Sequence, residues 1–122
     1  MKDRPSYREL DRKLKQGNEA ASANRIMLLE PDIILADLLD LDYLVEDLAK
    51  DLPALLREIR PGDYRGQSPP KKSYEKAILG SELFAFRWAS KIFGCPMYFK
   101  FAVKGENLWV VSLHRDKSKR GE

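Results

Sequence analysis

Cysteine is almost missing from this sequence: Cys95 is the only one in 122 residues. A single thiol permits no internal disulfide and no cysteine zinc site, so a hydrophobic core has to supply the stability. No apolar run approaches the roughly 18 residues that cross a bilayer. The opening Met-Lys-Asp-Arg-Pro-Ser-Tyr-Arg-Glu-Leu has no apolar stretch of the kind a secretory leader carries, so the expected location is the cytoplasm. Glycine and proline number seven each, which excludes collagen-like and low-complexity tracts. What is present is 43% hydrophobic and 34% charged residues, enough for a core and a solvated surface. The length suits one domain, residues 1–122.

The net charge of +3 hides an asymmetry. Residues 1–60 carry 10 Lys/Arg against 13 Asp/Glu, whereas residues 61–122 carry 12 against 6. A basic C-terminal half suggests an anionic partner such as nucleic acid. The tail at 117–122, with Lys117-Ser118-Lys119-Arg120, adds to that half but is also a common solvated ending.

Residues 1–60 read as helical. Ser6 and Glu9 form a capping box before Tyr7, Leu10 and Leu14, and Gly17 reads as the end of that helix. Asn18 then reads as the cap of a second helix running toward Met27-Leu28. Pro31 opens a third, in which Ile34, Leu38, Leu41, Val45 and Leu48 share one face. Asp40 is a possible break in it, and Asp51 reads as the cap of a short fourth helix through Pro53 to Ile59. Residues 61–81 are a Pro/Gly-rich loop, long enough to be functional or simply flexible.

From residue 82 to 116 the period falls to two. Phe84-Phe86-Trp88, Met97-Phe99-Phe101-Val103 and Trp109-Val111-Leu113 each alternate with smaller or polar residues. The fold class expected is α+β, with helices on one face of a three- to four-stranded antiparallel sheet. With Gly105-Glu106-Asn107 as a three-residue loop, Phe101 faces Val111 and Phe99 faces Leu113, which buries Trp109 as well. Cys95 and Pro96 fall in the preceding turn.

The opposite face then collects Arg87, Tyr98, Lys100, Ser112 and His114. Arg87 directly opposite Lys100 would repel, at a cost up to about 1 kcal/mol, unless an anion lay between them. Such a set suits RNA cleavage without metal or cofactor. Arginine and lysine hold the scissile phosphate and its developing charge, while His114 or Tyr98 moves protons. A polar sheet face bathed in water carries the same residue types, so the pattern by itself admits both readings. Lys71 and Lys72 in the loop are candidate backbone-phosphate contacts. Asp37, Asp40 and Asp42 match no calcium loop and read as a solvated acidic face or a docking surface for a basic partner.

Three segments resemble the motility quorum-sensing regulator toxins of the RelE-like mRNA interferase group. They are Ile59-Arg60-Pro61-Gly62-Asp63-Tyr64-Arg65, Met97-Tyr98-Phe99-Lys100 and Val110-Val111-Ser112-Leu113-His114-Arg115. The resemblance covers about residues 59–116. It implies an α+β ribonuclease acting on single-stranded mRNA without metal, with an antitoxin as partner. Carried over by position, Arg65 and Tyr98 are active-site residues, and His114 or Arg115 is the terminal basic one. The alternative function is a non-catalytic module that binds nucleic acid through the basic half or a protein through the acidic helices.

Overall fold

A computed structural model describes residues 4–117. Residues 1–3 and the tail beyond Lys117 lie outside the described residues. The elements are α1 (Tyr7–Ser22), β1 (Ile26–Leu28), α2 (Pro31–Leu39), a 3-10 turn at Val45–Asp47, α3 (Leu48–Glu58), further 3-10 turns at Pro61–Asp63 and Lys76–Ile78, then β2 (Phe84–Ser90), β3 (Cys95–Lys104) and β4 (Asn107–Arg115). The fold is α+β, with helices of the N-terminal half packed on a sheet drawn chiefly from the C-terminal half.

Ser6 caps α1 by accepting from the Glu9 amide at 3.0 Å. The return half of the box is absent, because the Glu9 carboxylate turns to Arg4, which also pairs with Glu82. Gly17 does not end this helix. It is buried within the helix where α1 packs on α3 and β4, and a Cβ there would lie at ordinary contact distance, 3.5 Å from Leu108 and 3.6 Å from Leu56. Asn18, expected as a second cap, instead donates from Nδ2 to the Pro53 carbonyl at 2.8 Å and ties α1 to α3.

Three residues expected in a helix, Ile26–Leu28, form β1, which pairs in parallel with β4. The sheet order is β1-β4-β3-β2, so three antiparallel strands are joined by one parallel edge strand. The acidic segment 31–50 divides in two. α2 stops at Leu39 and Asp42 takes a left-handed φ of +57°, a conformation that aspartate tolerates. Asp51 lies in the first turn of α3 rather than at its cap, and accepts a hydrogen bond from the Tyr43 hydroxyl at 2.7 Å. Burial, more than this bond, raises the Tyr43 phenol well above its ordinary range.

The β3–β4 hairpin corrects the expected register. Lys104 pairs with Asn107, so the turn is the two-residue Gly105-Glu106, with Gly105 at φ +62° as a primed hairpin turn requires. Phe101 therefore faces Val110, not Val111. A bulge at Val111 then shifts the register, and Phe99–Leu113, Lys100–Ser112 and Tyr98–His114 pair beyond it. Leu108, Val110 and Leu113 enter the core. Trp109, flanked by two of them, falls on the opposite face and is only half-buried.

The core holds Phe84, Phe86, Trp88, Met97, Phe99 and Phe101 against Leu10, Leu14, Ile34, Leu38, Leu52 and Leu55. Phe86 and Phe101 stack at 5.9 Å. Burying one such side chain stabilises the fold by about 1.5–3 kcal/mol. Cys95 and Pro96, expected in a turn, begin β3 opposite Ser90 and Ala89. Among the described residues no helix is long and apolar enough to cross a membrane.

Candidate functional site

Alternation in β2 hides Phe84, Phe86 and Trp88 under the helices, so Ala85 and Arg87 face the other way. In β3 the same parity turns Tyr98 and Lys100 to that reverse face, and beyond the bulge β4 adds Ser112 and His114. Two cross-strand rows result. Arg87, Tyr98 and His114 form one, while Ala85, Lys100 and Ser112 form the next. The expected pairing of Arg87 with Lys100 does not occur. Arg87 is one row away, opposite Tyr98, because β2 and β3 pair with Trp88 facing Met97 rather than Phe99.

The first row is stacked. The Arg87 guanidinium lies 5.3 Å from the centre of the Tyr98 ring, and that ring lies 5.1 Å from His114 with 22° between planes. Arg87 Nε is also 3.1 Å from Asp116 Oδ1, an ion pair too oblique to count as a hydrogen bond. Burial raises the Tyr98 phenol above its ordinary value and the Arg87 charge offsets this in part, so tyrosine here is a neutral donor. His114 Nδ1 is 2.8 Å from the Arg115 carbonyl oxygen. A carbonyl only accepts, which assigns a proton to Nδ1, and in that tautomer the Nε2 lone pair is the one available to accept a proton.

The loop completes the site from the β2 side. Tyr64 bridges Phe86, and the Arg65 amide donates to the Ala85 carbonyl at 2.8 Å. Farther along, Leu83 N donates to Lys71 O, and Ser73 N to Ser81 O, both at 2.8 Å. These bonds pin the loop along the edge of the sheet. Between them lies a cleft of about 250 Å³, lined by Arg65, Gly66, Gln67, Lys71, Leu83, Ala85, Tyr98 and Lys100. Among the described residues no carboxylate lines it. Lys71 and Lys100 have no ion pair among the described residues, and Arg65 Nη1 is held only by the carbonyls of Gly62 and Tyr64, at 3.1 and 2.7 Å. Three uncompensated cations around one hollow attract an anion.

Gly66 has a specific reason to be there. A Cβ would lie 2.5 Å from the Tyr64 hydroxyl, and Tyr64 cannot yield readily because its ring packs against Phe86 at 5.6 Å. The Tyr64 hydroxyl donates to the Gln67 carbonyl and closes this turn. Burial raises the Tyr64 phenol. A larger hollow of about 440 Å³ lies between α1 and the β3–β4 hairpin, but its charges cancel: Lys13 and Arg25 face Glu19 and Glu106, with Arg25 and Glu106 paired at 3.0 Å.

Arg65, Lys71, Tyr98 and Lys100 thus share one cleft, with Arg87, His114 and Ser112 on the same sheet face beside it. Lys72 stands opposite Glu82 in an isolated backbone β-bridge and does not line the cleft. Arg115 pairs with core-facing Met97, so strand alternation sends it away from the reverse face. Sequence reading missed Trp109, whose side was reversed by the length assigned to the hairpin turn. Gly105 as the first residue of that turn was the signal for its true length. Among the described residues no group of three or more His, Cys, Asp or Glu is arranged to hold a metal ion. No protein-family model matches the sequence, and no curated protein matches it.

Proposed function

We propose that the protein is an endoribonuclease that cuts single-stranded mRNA, acting in the cytoplasm as the toxin of a toxin–antitoxin pair. The observation that carries this reading is the carboxylate-free cleft where Arg65, Lys71 and Lys100 surround Tyr98, with the Tyr98–His114 stack at its edge. The motif resemblance of residues 59–116 supports the same reading.

In this mechanism Arg65 and Lys100 hold the scissile phosphate and stabilise the extra charge of the five-coordinate transition state. His114 Nε2 takes the proton from the ribose 2′-hydroxyl, whose oxygen attacks phosphorus. The bond from phosphorus to the 5′ oxygen breaks, and that oxygen takes the Tyr98 proton, the nearby Arg87 favouring the phenolate. The products are a 2′,3′-cyclic phosphate and a 5′-hydroxyl, and solvent returns His114 and Tyr98 to their starting states. The chain's own side chains supply every proton and every positive charge.

The test is incubation of unstructured RNA with the full chain in EDTA, followed by end-group analysis. Wild type yields cyclic phosphate ends, and His114→Ala combined with Lys100→Ala removes the cutting. Salt-dependent binding without cutting would favour the non-catalytic nucleic-acid module. Expression of wild type is expected to arrest growth, and the double variant to relieve the arrest.

A further inference from the structure

The side of the molecule built by α2 has a composition unlike its cleft. The helix buries Ile34 and Leu38 completely, one turn apart. The adjacent row, Leu35 and Leu39, has the same spacing and is aliphatic too, yet these residues are 39% and 50% exposed. Ile33 and Leu44 are more than half exposed. A surface helix normally turns polar immediately beside its buried row, and exposed aliphatics concentrated in one short segment mark a contact surface.

The charges on this segment all have one sign. Glu30, Asp32, Asp37, Asp40, Asp42 and Glu46 make no salt bridge among the described residues. Their repulsion opposes folding and is relieved by an incoming positive charge. The apolar row supplies contact area, and the carboxylates select the partner's sign.

We propose that the Leu35–Leu39 row is a docking surface for a basic amphipathic helix of a partner protein. Leucine-sized side chains at i and i+4 on the partner pack beside Leu35 and Leu39, and its lysines or arginines meet the flanking carboxylates. A symmetric pair of this chain fits poorly, because a two-fold contact sets these carboxylates against their own copies. The proposal is independent of the ribonuclease reading.

The probe is a labelled synthetic helix of leucine and lysine at helical spacing. Its controls are the same composition in alternating order and a leucine–glutamate counterpart. Fluorescence anisotropy with the full chain is expected to show binding of the leucine–lysine helix only, weakening as salt rises. Leu35→Ser with Leu39→Ser is expected to weaken it about tenfold or more. Asp40→Asn with Asp42→Asn changes two exposed charges, leaves the fold intact by circular dichroism, and is expected to weaken binding and flatten its salt dependence. Unchanged affinity in both variants, or equal binding of the alternating control, overturns the proposal. So does concentration-dependent self-association abolished by the leucine variant, which would give the surface to a second copy.

Discussion

The ring of Tyr98 lies face to face with that of His114, 5.1 Å between centroids, while Arg87 covers the other side of Tyr98. Tyr98→Phe keeps the stack and deletes only the hydroxyl. The expected result is a loss of roughly 10²–10⁴-fold in single-turnover cleavage, with RNA affinity nearly unchanged. A comparable loss of affinity would make Tyr98 a binding residue instead.

Trp109 and Trp88 differ sharply. Trp88 is buried and donates from Nε1 to Glu58 at 2.9 Å, whereas Trp109 is half-buried on the reverse face, between Ala102 and Met27 in the strand register. Under the proposed function, single-stranded RNA crossing that face is expected to stack a base near Trp109. Quenching of tryptophan fluorescence by RNA should survive Trp88→Phe and vanish in Trp109→Phe.

Glu58, at the C-terminus of α3, fastens the β2–β3 turn. It accepts from Trp88 Nε1 and Ser90 Oγ on one oxygen, and from the Lys91 and Ile92 amides on the other. Burial pushes this carboxyl up, but the four bonds together outweigh it and hold it below the usual carboxylate range. A lowered folded-state value means stabilisation that is complete above the unfolded value, about 4.3. It is lost as pH falls through the folded value. Glu58→Gln is expected to cost about 1–3 kcal/mol at pH 7. In guanidinium titrations the gap to wild type should close as the solution is made more acid.

Gly17 and Gly66 make opposite predictions. At Gly17 an added methyl meets Leu108 and Leu56 at ordinary contact distance, so Gly17→Ala should stabilise by about 0.5–1 kcal/mol through helix propensity. Gly17→Leu should destabilise by about 1–3 kcal/mol by overpacking. At Gly66 the methyl collides with the Tyr64 hydroxyl, so Gly66→Ala should lower the melting temperature and weaken RNA binding. Adding Tyr64→Ala should cancel the part of the penalty due to that collision. An additive double variant would contradict the contact.

Periodicity alone determined the α+β class, the three antiparallel strands, and the faces of Phe84, Phe86, Phe99 and Leu113, because alternation is a local property of a pleated chain. It likewise set Arg87, Tyr98, Lys100 and His114 on the reverse face. Which of them are neighbours was decided elsewhere: strand register moved Arg87 beside Tyr98 and away from Lys100. Tertiary contact also carried α1 through Gly17, since close packing on Leu56 and Leu108 has no mark in local propensity. It drew Ile26–Leu28 into a strand through pairing with residues some eighty positions later. The cleft depends on the same kind of information. Arg65 and Lys71 reach Tyr98 and Lys100 only because distant backbone groups of β2 and the loop must satisfy one another's hydrogen bonds, and no local pattern encodes that meeting.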